Sequence, residues 1–222
     1  MIKKGDFVEL DYTGMLAENG EVFDTTLESV AKEKKIHSKK NAYKAVKVII
    51  GESQLLPGLE AFLEGKQPGE YEVSLKAEQA FGLKDPKMLK LIPLKAFTSQ
   101  QIQPFVGLDV NIDGQTGVVR SVNGGRIIVD FNHPLSSKDV KYKLSVKRIM
   151  TDPKEKIETW FEYTSIPVEV KVEGKKATVT LKNNLPEQLI KPIQEKIRKY
   201  VDIEVEIKNI AKDEKTETQQ GI

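Results

Sequence analysis

The sequence predicts an α+β protein in which antiparallel strands dominate and a small all-β domain interrupts the first sheet. Three observations support this class. Apolar and polar residues alternate along most of the chain before Pro153, as expected for half-buried strands. Glycine-rich turns separate three short β runs between residues 107 and 131. After Pro153 the pattern becomes helix, two strands, helix and strand.

The first region contains an alternating strand, a hairpin turn and one short helix. Val8, Leu10 and Tyr12 alternate with acidic residues and therefore predict one face of a half-buried strand. The pair Asn19-Gly20 favours a tight hairpin. The segment SQLLPGLEAFLEG predicts a helix that ends near Gly65. We predict no other helix before Pro153. The apolar face of this helix carries Leu56, Leu59, Phe62 and Leu63.

The rest of the chain predicts an insertion followed by a C-terminal unit. The segment LKLIPLKAFTSQQIQPF is apolar but poorly periodic, so we assign it no element. Alternation in KYKLSVKRI predicts another strand of the first sheet. In the C-terminal unit, Pro192 should kink or restart a helix. We expect a discontinuous first domain (1–86 and 132–152), an inserted all-β domain (87–131) and a C-terminal α+β domain (153–222), with a disordered tail from about residue 212.

The amino-acid composition and the net charge exclude several function classes. The net charge of +2 does not suggest a general nucleic-acid binder, which needs a concentrated basic face. The absence of cysteine excludes disulfides, thiolate nucleophiles and cysteine-ligated metals. Two histidines cannot build a metal cluster, and no phosphate-binding glycine fingerprint occurs, so we predict no metal and no cofactor. The N-terminus lacks the apolar core of a signal peptide, and no run reaches membrane-spanning length. We expect a cytoplasmic protein without membrane contact.

Several motifs follow one another in a definite order: YTGML and FD, then IIGESQLLPGLEAFLEG, then AFG. Together they resemble the FK506-binding-protein (FKBP) family of peptidyl-prolyl cis-trans isomerases over about the first 85 residues, and the resemblance resumes at KYKLSVKRI. After AFG, the predicted small β domain interrupts the FKBP motifs, and the segment DFNHPLSSKDVKYKL follows it. This arrangement is similar to SlyD-type and archaeal FKBPs, whose insert-in-flap domain acts as a chaperone. The C-terminal unit resembles that of the long-type archaeal members.

The resemblance implies an apolar cavity that rotates Xaa-Pro bonds. The implied catalytic positions are Tyr12, Phe23, Asp24, Leu55, Leu56, Leu59, Phe81 and Tyr142, with Val46 binding substrate. Leu56 would offer its backbone N–H to a substrate carbonyl, and Phe23 and Tyr142 would form aromatic walls. Asp24 would act as an electrostatic and positioning group. The implied partners are proline-containing peptides and unfolded or partly folded proteins.

Three positions depart from the family pattern. Phe81 stands where many members carry tyrosine, Leu59 replaces a tryptophan, and Val46 replaces a phenylalanine. We therefore expect a shallower cavity and weak macrolide binding. The insert has many apolar residues for its size, and those that its own small core does not take up would form a surface patch. The resemblance to insert-in-flap domains implies that this patch binds unfolded chains. These apolar residues are Leu91, Ile92, Leu94, Phe97, Ile102, Phe105 and Val106.

Other interpretations remain open. The departures at Phe81 and Leu59 favour a holdase chaperone with a weak or vestigial isomerase cavity. A nucleic-acid module in the insert has few basic residues, Arg120 and Arg126. His133 is expected to cap a turn where the insert rejoins the first sheet. Trp160, Phe161 and Tyr163 cannot easily all face one small core, so we expect a homodimer through the C-terminal domain.

Overall fold

The computed structural model describes residues 1–209, and its first sheet contains five antiparallel strands. These are β1 (Phe7–Leu16), β2 (Val22–Thr25), β3 (Val46–Ile49), β4 (Gly69–Leu75) and, from beyond the insert, β9 (Val140–Met150). The order is β2-β1-β9-β4, with β3 also pairing with β1. The strand predicted from KYKLSVKRI is confirmed as β9, because it pairs with both β1 and β4.

Helix α2 (Pro57–Leu63) packs its apolar face against this sheet, as predicted. Leu59 and Leu63 are buried in the same core as Val8 and Leu10. Gly58 permits the close approach, because a Cβ there would lie 2.7 Å from a methyl carbon of Leu75. The expectation of a single helix before Pro153 is wrong. A short helix α1 (Glu28–Glu33) also forms, and its six residues are too few to give a periodic signal.

The insert forms a second sheet of four strands. Strands β5 (Leu89–Pro93), β6 (Asp109–Ile112), β7 (Gln115–Asn123) and β8 (Arg126–Asp130) lie in the order β5-β8-β7-β6. The three predicted β runs are confirmed as β6, β7 and β8. Strand β5 and the short helix α3 (Leu94–Thr98) were not predicted, because their segment has neither a clear strand nor a clear helix period. Phe97 of α3 packs with Val119, Ile127 and Val129 in the insert core.

The C-terminal unit has the predicted α-β-β-α-β order. It consists of α4 (Pro153–Tyr163), β10 (Val168–Glu173), β11 (Lys176–Leu181), α5 (Glu187–Arg198) and β12 (Glu204–Asn209). Strand β11 pairs antiparallel with β10 and parallel with β12. Helix α5 runs through Pro192 without restarting. The predicted disordered tail lies outside the described residues.

The C-terminal unit completes its core against the back of the first sheet. Phe7, Ile49 and Met150 point away from α2 and are buried together with Ile157 and Phe161. Successive strand residues face opposite sides of a sheet, so one strand serves two cores. Trp160 is also buried, and only Tyr163 of the three neighbouring aromatic residues is exposed. Of the three aromatic residues on which the predicted dimer was based, only Tyr163 is therefore left outside the core. The homodimer stays a prediction.

No helix within residues 1–209 has both the length and the apolar character needed to cross a lipid bilayer.

Candidate active site

One cavity brings together most of the residues singled out in the sequence. It has a volume of about 360 Å³ and opens between the front of the first sheet and the start of α2. Seven of the predicted catalytic residues line it: Tyr12, Asp24, Leu55, Leu56, Leu59, Phe81 and Tyr142. Leu10, Ser53, Gln54, Pro57 and Leu144 complete the lining. Sequence analysis missed these five. Leu10 and Leu144 were missed because an apolar strand residue that lines a cavity has the same periodicity as one that fills a core, and Ser53, Gln54 and Pro57 lie in or beside a loop that has no periodic pattern.

Tyr12 and Asp24 form the polar pair at the cavity wall. The Tyr12 hydroxyl donates a hydrogen bond of 2.7 Å to Oδ2 of Asp24. Burial and this hydrogen bond raise the pKa of Tyr12 well above its ordinary value, so the phenol stays protonated. The backbone of Tyr12 is anchored on both sides, because its N–H donates to Oγ1 of Thr26 at 3.0 Å and its carbonyl accepts the Thr26 N–H at 3.0 Å. The carboxylate is thus held in one position.

Three aromatic rings form a continuous wall. The Phe23 ring meets the rings of Phe81 and Tyr142 edge-on, with centroids 5.8 Å and 5.9 Å apart. Phe23 does not itself line the cavity, but its ring supports the two residues that do. Gly14 makes the arrangement possible, because a Cβ there would lie 2.8 Å from Phe23 and 2.9 Å from Tyr142. The sequence offered no sign of this role for Gly14.

His133 forms the outer layer of the same wall. It caps its turn as expected, since Nδ1 accepts the Leu135 N–H at 3.2 Å. Its imidazole also stacks on Phe81, with ring centroids 4.7 Å apart and planes inclined by 4°. Sequence analysis missed this contact, because the two residues lie on opposite sides of the insertion.

The loop before α2 presents a backbone donor to the cavity. No acceptor within residues 1–209 pairs with the N–H of Leu56. The loop is fixed from both ends: Gln54 accepts the Ile49 N–H at 2.7 Å, and Glu60 accepts the Gln54 N–H at 3.1 Å. Leu59 lies at the floor and is 2% exposed. Since the loop is held in place, the Leu56 N–H is available to a bound carbonyl.

Comparison with known proteins gives consistent matches. Residues 1–97 match the family model described as FKBP-type peptidyl-prolyl cis-trans isomerase, and residues 90–135 match the model described as FKBP26, IF domain. A short-type peptidyl-prolyl cis-trans isomerase of Methanocaldococcus jannaschii is 33% identical over 150 residues, which cover 67% of this chain and 94% of that protein. The chain belongs to the FKBP-type peptidyl-prolyl cis-trans isomerase family.

Bacterial relatives agree with this assignment. The FKBP-type isomerase SlyD of Aeromonas hydrophila is 30% identical over 154 residues, covering 64% of this chain and 61% of that protein. A 16 kDa FKBP-type isomerase of Escherichia coli is 34% identical over 106 residues, covering 45% of this chain and 70% of that protein. The predicted family, enzyme class and α+β fold are therefore confirmed.

Among the departures from the FKBP pattern, Val46 does not line the cavity. It is the first residue of β3, where it pairs with Leu10 and packs against the core. Leu59 and Phe81 do line the cavity. Only two of the three substitutions thus change the surface that a ligand would meet.

The apolar residues predicted to bind clients occupy different environments in the insert of this FKBP. Phe97 is buried, and Ile92 and Leu94 are partly buried around it. Phe105 and Val106 are 60% and 64% exposed. Ile102 lies between two cavities of about 400 Å³ and 500 Å³. Leu91 is exposed and faces the side of the sheet opposite to its neighbour Ile92.

A buried carboxylate fixes the junction between insert and first sheet. Asp130 is 3% exposed. Its carboxylate accepts hydrogen bonds from Lys84 at 2.8 Å and from the side chain of Asn132 at 2.9 Å, and Arg120 lies at 3.3 Å. Burial alone would raise the pKa of Asp130, but the donors outweigh it and lower the pKa below its ordinary value. Asp130 therefore stays charged and ties the returning strand to Lys84.

Proposed function

We propose that this FKBP-type protein rotates Xaa-Pro peptide bonds in the cavity beside α2, and that its insert holds unfolded client chains near that cavity. The observation that carries the first part is the combination of an apolar floor, a fixed Tyr12–Asp24 pair and an unpaired Leu56 N–H. The second part rests on the exposed apolar side chains of the insert.

The chemistry requires binding and polarity rather than bond formation. Peptide rotation has a barrier of about 18–20 kcal/mol, because amide resonance must be broken. Xaa-Pro bonds populate both isomers and exchange over tens to hundreds of seconds. The twisted amide separates less charge than the planar form, so an apolar floor such as Leu59 favours it. No nucleophile is needed.

The remaining groups position the substrate. The Leu56 N–H binds a carbonyl of the peptide, and the wall of Phe81 and Tyr142 holds the proline ring in a geometry close to the twisted state. Asp24, fixed by Tyr12, contributes a negative charge and no proton transfer. Leu59 and Phe81 leave the cavity shallow, so macrolides bind weakly.

A protease-free isomerisation assay on short Xaa-Pro peptides tests the first part. The native chain should accelerate exchange, and Asp24→Ala should lower kcat/KM about tenfold while the fold is retained. An inactive native chain would contradict the isomerase and favour a holdase with a vestigial cavity.

The insert acts by raising the local concentration of client prolines at the cavity. Phe105 and Val106 are the sharpest probes, because both are well exposed and their loss costs little packing. In this proposal the discontinuous domain (1–86 and 132–152) catalyses the rotation, and the inserted domain (87–131) binds the client chain.

The double substitution Phe105→Ser with Val106→Ser should slow proline-limited refolding of a protein several-fold without changing peptide isomerisation. Leu189→Ser is the matched control, because Leu189 is 51% exposed but lies on α5. An equal loss on both substrates would contradict a separate client surface. The proposed homodimer is tested by sedimentation of the full chain.

A further inference from the structure

The hydroxyl of Tyr142 has no hydrogen-bond partner within residues 1–209, although the residue is almost completely buried. Tyr142 is 4% exposed and lines the cavity. Among residues 1–209, the fully buried side-chain polar atom without a partner is Oγ1 of Thr159. The Tyr142 hydroxyl is not enclosed in that way and forms no hydrogen bond to residues 1–209. It therefore opens into the accessible space of the cavity.

The neighbouring tyrosine provides a contrast. The rings of Tyr12 and Tyr142 lie 6.0 Å apart, and the Tyr12 hydroxyl is already committed to Asp24 at 2.7 Å. Of the two tyrosine hydroxyls at this cavity, that of Tyr142 is available to a ligand and that of Tyr12 is not. Because the Tyr142 hydroxyl opens into the cavity, a bound peptide can reach it.

The ring that carries this hydroxyl is rigidly placed. Its backbone lies in β9 between two paired strands, opposite Gly14 of β1 on one side and Val73 of β4 on the other. The Phe23 ring meets it edge-on at 5.9 Å. Burial and the negative charge of Asp24 raise the pKa of Tyr142 well above its ordinary value. The hydroxyl is therefore a fixed donor that stays protonated.

We propose that the Tyr142 hydroxyl donates a hydrogen bond to the prolyl nitrogen of the bound Xaa-Pro bond as that bond rotates, a role that rests on the proposed isomerase function. In the planar amide the nitrogen lone pair is delocalised and accepts no hydrogen bond. Rotation localises the lone pair, and the nitrogen becomes an acceptor. A donor that engages only then stabilises the transition state more than the ground state. Tyr142 is thereby a catalytic residue as well as an aromatic wall.

The test is Tyr142→Phe in the full chain, measured as kcat and KM on a short Xaa-Pro peptide. We expect kcat to fall about fivefold or more, with KM changed less than about twofold. Because the hydroxyl bonds to no residue in the described part of the chain, the urea midpoint of unfolding should not fall. Tyr71→Phe is the matched control on the same sheet, since its hydroxyl donates to the carbonyl of Gln67 at 2.8 Å, outside the cavity, and its kcat should match the native value.

The outcomes separate this inference from the proposed function. An active native chain with an equally active Tyr142→Phe variant overturns the inference alone. A loss that appears only in KM also overturns it, because it places the hydroxyl in ground-state binding. A native chain inactive on every Xaa-Pro peptide overturns the proposed function and this inference with it.

Discussion

The imidazole of His133 stacks on the ring of Phe81 with a centroid distance of 4.7 Å. Phe81 precedes the insert and His133 follows it, so the contact joins the two connections of the insert at the cavity wall. Phe81 also meets Phe23 edge-on and is therefore held from two sides. The cavity surface that Phe81 provides thus depends on how the insert returns to the first sheet.

His133→Ala should reduce peptide isomerisation by about two- to tenfold, because a lost ring pair is worth about 0.5–1.5 kcal/mol and Phe81 loses its outer support. His133→Phe should restore most of the rate, because it keeps a ring in place. The measurement is kcat/KM on a short peptide. His37→Ala is the control, since that imidazole stacks on Tyr43 away from the cavity. Equal rates for native protein and His133→Ala would refute the supporting role.

Tyr12→Phe and Asp24→Ala should be non-additive. Each substitution breaks the same 2.7 Å hydrogen bond, and residues that share one interaction couple in a double-mutant cycle. We expect Tyr12→Phe to lower kcat/KM about fivefold. Adding it to Asp24→Ala should have little further effect. Fully multiplicative losses would show that Tyr12 does not act through Asp24.

Gly14→Ala should disturb the aromatic wall without straining the backbone. The new Cβ would lie 2.8 Å from Phe23, and overpacking of this kind costs about 1–3 kcal/mol. We expect a lower unfolding midpoint and a loss of peptide isomerisation. Gly117→Ala is the matched control, because its new Cβ would be equally crowded, 2.7 Å from Val129, but in the insert core. That variant should lose stability but keep peptide isomerisation, and equal losses in both variants would contradict a local effect.

Acid should weaken the attachment of α4 to the first sheet. Hydrogen bonds from Arg148, and an ion pair with Lys47, lower the pKa of Glu155 from 4.5 to about 2. A lowered folded-state pKa gives stability that is fully present above about pH 4.5 and is lost as the pH falls towards 2.

Glu155→Gln should therefore lower the urea midpoint at pH 7, and the difference from native should shrink as the pH approaches 2. Glu158→Gln on the same helix pairs only with a lysine at 3.8 Å and should show no such trend. A pH-independent difference for Glu155→Gln would contradict the assignment.

The sequence determined the local elements and the identity of most cavity residues. Alternation predicted β1 and β9, and the apolar face with Gly65 predicted α2, because these signals depend on residues close together in the chain. The ordered motifs placed Tyr12, Asp24, Leu55 and Leu56 at one site. The cavity does contain them.

Only the tertiary structure decided which individual side chains line the cavity and which pack elsewhere. Phe23 and Val46 do not line the cavity, although both occupy strand positions that the motifs assigned to the site. Phe7 completes the core of the C-terminal unit, which its own strand pattern does not indicate. The free Tyr142 hydroxyl and the ring of His133 on Phe81 result from packing between segments far apart in sequence. Such contacts depend on where distant segments meet, and no local pattern of residues encodes them.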